Sequence, residues 1–216
     1  MTKVYPNASV VSNSINTANS NCTSSSMISA YSDENCRMFT VWKKSLLFNC
    51  DGFTVLDAKG SLAFRVDNYG STGEVVLMDA SGKPLQTIRR KRLSMSGNWL
   101  LYDGEKLTNP ILSVRKHVSL LSNARSCLAH VNTMLLGNKG RSVYEIEGSY
   151  TKRCCVIYDS NRNRVAEIKR KESAVVGAAF GFEVFRLIIV EPDLIDSSVA
   201  MSLVILLDQM FGSPKR

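Results

Sequence analysis

Three runs of cationic side chains are the part of this sequence with the clearest capacity for chemistry. Arg89-Arg90-Lys91-Arg92 is the densest, and Arg115-Lys116 and Lys169-Arg170-Lys171 recur further along. Guanidinium forks and ammonium groups recognise phosphate oxygens by charge and hydrogen bonding. Beside an anionic membrane each exposed Lys or Arg contributes about 1 kcal/mol. All three runs fall at the ends of predicted strands, so their recurrence at one phase of a repeat would gather them at one rim. A plainer reading stands beside this one: strand ends are solvated, and Lys and Arg there discourage edge-to-edge pairing. The Arg89–Arg92 tetrad also fits a short nuclear-import pattern.

Other reactive residue types are sparse. His117 and His130 lie 13 positions apart with no evident partner, and both read as structural. Glu145 and Glu147 alternate along a predicted strand and share one face, which reads as a solvated sheet face. Six cysteines occur without a C-x-x-C pair, and no zinc spacing is apparent. Cys154 and Cys155 are adjacent on a predicted strand, so their side chains point to opposite faces. No G-x-S-x-G, P-loop or H-E-x-x-H motif is present. No catalytic residue, cofactor or metal site is therefore expected, and the chain reads as a non-enzyme.

The elements that must position the cationic runs are mostly hairpins. Val55–Gly60 leads to Leu62–Val66, Leu77–Gly82 to Leu85–Ile88, Leu101–Gly104 to Ile111–Val114, and Ile157–Asn161 to Val165–Ile168. Each join begins with Asp, whose carboxylate can accept backbone N–H groups of the turn. Phe182–Val190 reads as a further strand. The copies are too unequal for a solenoid. A meander closed on itself is the better expectation, because closure removes exposed edges.

Leu194–Phe211 reads as one helix of about 27 Å. It is apolar nearly all round, with Ser198, Ser202 and Gln209 as a narrow polar stripe, so protein or lipid must wrap it. Its uncharged stretch, Ser197–Leu207, has 11 residues, whereas a membrane span needs about 20. Asp196 and Asp208 bracket that stretch. A helix buried in the protein's own core is the expected outcome, with no transmembrane span; Asp196 or Ser197 would cap its start, and Gly212 and Pro214 would stop it.

The chain has 216 residues, is 44% hydrophobic and carries a net charge of +8 with a pI near 9.3. That suits one globular domain with a real core and anionic partners. Residues 1–35, rich in Ser, Asn and Thr, read as a flexible tail, and residues 36–212 as the barrel domain. The N-terminus lacks the apolar core of a signal peptide. Reduced thiols and an intracellular location are expected, in the cytoplasm with peripheral association at the plasma membrane, or in the nucleus.

Several blocks in order carry a family resemblance: Thr40–Leu46, Gly52–Val55, Phe64–Tyr69, Val76–Leu85 and Ile88–Lys91, followed by Trp99 and the apolar closing helix. They resemble the plant LURP-one-related family, which is similar to the tubby C-terminal domain and the phospholipid scramblases. The resemblance runs from about Arg37 to Gly212. It implies a mainly β fold, a closed antiparallel twelve-stranded barrel around a central hydrophobic helix. It also implies a membrane-tethered or transcription-linked role, a link to plant defence, and no enzymatic activity. The leading expectation is a module binding phosphoinositides, that is anionic phospholipid, through Arg89, Arg90, Lys91, Arg92, Arg115, Lys116, Lys169, Arg170 and Lys171. A nucleic-acid-associated regulator uses the same charge but lacks a free recognition helix. A scramblase-like lipid handler would have to exchange the helix for lipid.

Overall fold

The computed structural model describes residues 36–47, 51–67, 73–91, 97–118, 127–135, 140–171 and 181–212. The predicted N-terminal tail, Arg92 and Pro214 lie outside the described residues. Twelve strands precede one helix: β1 (Arg37–Trp42), β2 (Phe53–Leu56), β3 (Leu62–Val66), β4 (Glu74–Asp79), β5 (Pro84–Arg90), β6 (Trp99–Asp103), β7 (Pro110–Lys116), β8 (Cys127–Thr133), β9 (Ser142–Ser149), β10 (Cys154–Asp159), β11 (Arg164–Arg170), β12 (Val184–Ile189) and α1 (Ser197–Phe211). Each strand pairs antiparallel with its chain neighbour. β1 also pairs with β12, Val41 opposite Phe185, which closes the barrel.

Turn chemistry sets the hairpins. The Asp57 carboxylate accepts the N–H of Lys59 and of Ser61, both at 2.8 Å. Asp79 does the same for Ser81 and Lys83, and Asp159 for Asn161 and Asn163. Three separate joins thus use one device, an aspartate that holds the amides two and four residues on. Along the strands, inward residues alternate with outward ones. Val41, Phe53, Leu77, Ile88, Leu101, Val131, Ile146, Ile157, Ile168 and Leu187 are fully buried and point at the axis.

The axis is occupied by α1. Ala200, Met201, Leu203, Val204, Ile205, Leu206 and Leu207 are 0–1% exposed. Burying each large side chain contributes roughly 1.5–3 kcal/mol. The polar stripe read from the sequence does not meet water throughout: Ser202 is fully buried, and its hydroxyl donates to Gln86 Oε1 on β5 at 2.5 Å. Among the described residues no helix is long and apolar enough to cross a membrane.

The helix is three residues shorter at its start than the sequence pattern gives. Leu194, Ile195 and Asp196 belong to the turn after β12, where the Leu194 and Ile195 amides reach back to the Glu191 carbonyl. Apolarity alone extends the pattern, but the extended backbone of Asp196 makes it the N-cap, and its side chain accepts the Ser198 amide at 2.8 Å. Gly212 ends the helix with its N–H on the Asp208 carbonyl. Likewise the last strand is Val184–Ile189, narrower at both ends than Phe182–Val190.

Burial alone would raise the Asp196 carboxyl. The Ser198 hydroxyl and amide, the Val199 amide and the Arg37 charge outweigh it and hold the group below the ordinary carboxylate range. A depressed folded pKa stabilises above the unfolded value of about 3.9 and is lost as pH falls through the folded one. Asp196→Ala is therefore expected to cost about 1 kcal/mol at pH 7. The difference from wild type should shrink as pH drops below about 4. Asp196→Asn, which still caps, should lose much less. Urea melts of the three proteins at pH 7 and pH 3 check this.

Candidate functional site

Because every pairing is antiparallel and follows chain order, odd-numbered strands all end at one mouth of the barrel. We call this the upper mouth. It also receives the C-terminal end of α1. β5, β7 and β11 are odd, so Arg90, Lys116 and Arg170, their final residues, reach that mouth together. Lys91, Arg115 and Lys171 adjoin them.

The nine sequence-selected cations divide by environment. Arg90, Lys91, Arg115, Lys116 and Arg170 are exposed. Arg89 faces the outer wall, its Nε 3.3 Å from Glu74 on β4. Lys169 also lies on the wall, 2.7 Å from the buried Glu167 carboxylate. Strand alternation separates Arg89 from Arg90 and Lys169 from Arg170, since neighbours in a run point to opposite faces, while Arg115 lies on the wall opposite His130 and is exposed. Lys171 is half-buried, and Arg92 lies outside the described residues. Lys116 packs over the Phe211 ring, 4.7 Å from its centre, at the end of α1.

Sequence reasoning missed Arg153, in the β9–β10 turn at the same mouth. It takes a positive φ of 53°. Its guanidinium lies 4.2 Å from the ring centres of both Tyr150 and Phe185, and its Nε donates to the Phe182 carbonyl at 2.9 Å. The residue is only 6% exposed, and its Nη1 is buried with no hydrogen-bond partner among the described residues. Beside it, Asp208 near the helix end accepts the Tyr150 hydroxyl at 3.0 Å and pairs with Lys43 at 3.0 Å. Burial, then the Asp208 charge, pushes the Tyr150 phenol well above its usual range. Lys43 supplies the cation that the negative end of a helix favours, since α1 has no basic residue in its last turn.

Apolar side chains are exposed around the same mouth. Trp42, Leu46 and Leu47 leave the end of β1, Val118 follows β7, and Phe182 precedes β12. Lys44 lies 5.4 Å from the Trp42 ring centre and Arg170 lies 5.0 Å from that of Phe182. The lower mouth carries the aspartate turns, with Asp57, Asp79 and Asp159 at the ends of their hairpins, and also exposes Leu135 and Leu194. The upper mouth thus combines positive charge with exposed aromatic and aliphatic groups, as surfaces that meet membrane interfaces do.

A second cluster sits on the outer wall near this mouth. His117 Nδ1 and His130 Nε2 are 2.9 Å apart, and Cys127 Sγ is 3.6 Å from the same His130 nitrogen. The two histidines are therefore partners rather than isolated residues. Cys127 and His130 would point to opposite faces of a regular strand, being three residues apart. An irregularity between Cys127 and Ala129 resets the register, so Cys127 stands opposite Glu147 and His130 opposite Glu145. Burial, then a hydrogen bond with Glu145 and the charges of Glu145 and Glu147, pushes the Cys127 thiol up to about 12. Arg162 holds both glutamates from the next hairpin, at 3.0 and 3.1 Å, so their shared face is an ion-paired one.

These features define a barrel of twelve staves with its own helix as filling and a cationic, partly greasy mouth. A family model described as LURP-one-related matches residues 37–208. The chain is 54% identical over 180 residues to protein LURP-one-related 8 of Arabidopsis thaliana, covering 82% of this chain and 88% of that protein. It is 44% identical over 184 residues to LURP-one-related 5 of the same plant, covering 82% and 84%. A crystal structure of an Arabidopsis thaliana protein shares the fold with a TM-score of 0.59 at 21% identity, covering 84% of this chain and 94% of that one. The chain belongs to the LURP-one-related family.

Proposed function

We propose that the protein is a non-enzymatic module that docks its upper mouth on anionic phospholipid headgroups, phosphoinositides being the preferred class. The observation that carries this reading is the meeting, at one mouth, of Arg90, Lys116 and Arg170 with exposed Trp42 and Phe182. Cations draw the barrel to phosphate and the apolar side chains enter the headgroup layer. Lipid exchange in the barrel is disfavoured, since α1 fills the interior. A transcription-linked or defence-linked role would then depend on release from, or recruitment to, the membrane.

Co-sedimentation of the full chain with vesicles tests this. Phosphatidylcholine vesicles containing phosphatidylinositol 4,5-bisphosphate should bind the protein, and pure phosphatidylcholine vesicles should not. Binding should fall as salt rises, because exposed charges are screened within about 8–10 Å at 0.1–0.15 M salt. Combined Arg90→Glu, Lys116→Glu and Arg170→Glu should abolish it. Lys59→Glu, Lys83→Glu and Lys106→Glu change the net charge equally at the lower mouth and should leave most of it. Equal binding to both vesicles, equal loss in both triple variants, or binding to duplex DNA alone would overturn the proposal.

A further inference from the structure

His117, Cys127 and His130 bring one ligand atom each to within 4.8 Å of one another, on an outer wall that solvent reaches. Two imidazole nitrogens and one thiol sulfur are the donor set of borderline-soft divalent ions. Zinc takes nitrogen at about 2.0–2.1 Å and sulfur at about 2.3 Å, so a tetrahedral site has N–N and N–S edges of roughly 3.3 and 3.5 Å. The His130–Cys127 separation of 3.6 Å matches, the N–N separation of 2.9 Å must open by a few tenths of an ångström, and the His117–Cys127 pair, within 4.8 Å, must close onto the ion. That is within reach of side-chain rotation on half-buried residues. The short N–N contact places a proton between the rings, and the ion would take its place.

A fourth donor is close by. Glu145 is the cross-strand neighbour of His130, and its charge bears on the Cys127 thiol. Glu147 adds a second negative charge opposite Cys127, and Arg162 fixes both carboxylates. Three strands converge here. β7 delivers His117, whose amide is tied to the Leu128 carbonyl at 2.8 Å. β8 delivers Cys127 and His130 across its irregularity, and β9 delivers Glu145. The irregularity turns two residues that regular pleating would separate onto one face, which is how such distortions re-aim functional side chains.

We propose that His117 Nδ1, His130 Nε2, Cys127 Sγ and the Glu145 carboxylate form a binding site for one zinc-class divalent ion. Binding releases the thiol proton, the proton shared by the imidazoles moves to the far nitrogen of the ring that carried it, and the metal keeps its oxidation state. The ion pins β7 to β8 and β9 and adds positive charge beside Arg115 and Lys116.

The test is a cobalt(II) titration of the full chain, without a polyhistidine tag, kept reduced with a phosphine and freed of chelator. One equivalent of cobalt should produce the visible bands of a four-coordinate ion and a near-ultraviolet thiolate-to-metal band. Zinc should displace both and raise the melting temperature. Cys127→Ser should remove the near-ultraviolet band, and His117→Asn or His130→Asn should weaken binding by about tenfold or more. Melts of metal-free variants show whether each folds; if none does, the wild-type titration still decides. No four-coordinate spectrum at a twofold excess of cobalt, or a thiolate band that persists in Cys127→Ser, would overturn the proposal.

Discussion

Leu206→Asp is expected to yield no soluble, folded protein. Leu206 is 0% exposed on the helix that occupies the barrel axis. A carboxylate there loses its hydration at an effective cost of several kcal/mol. Loss of the leucine's packing adds about 2–5 kcal/mol. Together these rival the whole stability of a typical domain, about 5–15 kcal/mol. Neutralising the acid by protonation would lessen the penalty without supplying a hydrogen-bond partner. Leu206→Met, which conserves volume, should cost less than about 1.5 kcal/mol and stay soluble. The soluble fraction after expression and the thermal melt by circular dichroism measure both. A soluble Leu206→Asp protein with a cooperative melt would contradict a helix enclosed by the barrel.

Gly148→Ala should be the most damaging single methyl addition among the described glycines of positive φ. Gly148 has a φ of +111°, and an added Cβ would lie 2.2 Å from the Cys154 carbonyl oxygen across the β9–β10 ladder. The first factor strains the backbone, at about 1–3 kcal/mol. The second forces apart strands that pair through six residues, from Cys154 opposite Ser149 to Asp159 opposite Tyr144, for a further 1–3 kcal/mol or so. Gly60→Ala isolates the first factor. Its φ is +82° and an added Cβ meets nothing within 4 Å, so about 1 kcal/mol is expected. Denaturant midpoints for the two variants should differ in that order. Equal midpoints would mean that the β9–β10 crossing is not tight at Gly148.

The contrast between these glycines shows what a sequence can display and what it hides. Gly60 follows Asp57 in an obvious turn, and its conformation can be guessed from that context. Gly148 sits within Tyr144–Tyr150, where nothing marks the close approach of Cys154, because that depends on how two strands cross. The same division runs through the site. The helix was legible because no amphipathic pattern could explain Val199–Leu207, and burial was the physical alternative. Hairpins were legible because Asp57, Asp79 and Asp159 repeat at the same offset. Gathering of Arg90, Lys116 and Arg170 at one mouth followed from their common place in that repeat. Arg89 and Lys169 read as equivalent cations, and only the strand parity that pairs them with Glu74 and Glu167 separates them.

Other parts required register. His117 and His130 meet because β7 and β8 are antiparallel neighbours, and Arg115 opposite His130 fixes the slide between them. The spacing Cys127-Leu128-Ala129-His130 leaves two residues between donors, a separation found in metal sites, but it completes no zinc pattern in the sequence. On a regular strand, however, those side chains diverge, and the local irregularity cannot be read from residue types. Arg153 was hidden for a similar reason. Its identity suits a solvated turn, whereas its positive φ and the rings of Tyr150 and Phe185 draw it inward. Leu194 extended the helix in the sequence because hydrophobicity does not mark the turn that Glu191 organises.

The order of elements has a consequence for how the chain is made. The filling of the barrel follows all twelve staves, and the first stave bonds to the twelfth. While a ribosome is still producing the strands, their inward faces have no core to pack against, and the seam between the first and last staves cannot yet exist. Contacts between residues so distant in sequence form slowly, and exposed apolar faces attract other chains meanwhile. Until the helix that fills the axis has been made, the staves have nothing to close around, and the native barrel cannot be completed strand by strand.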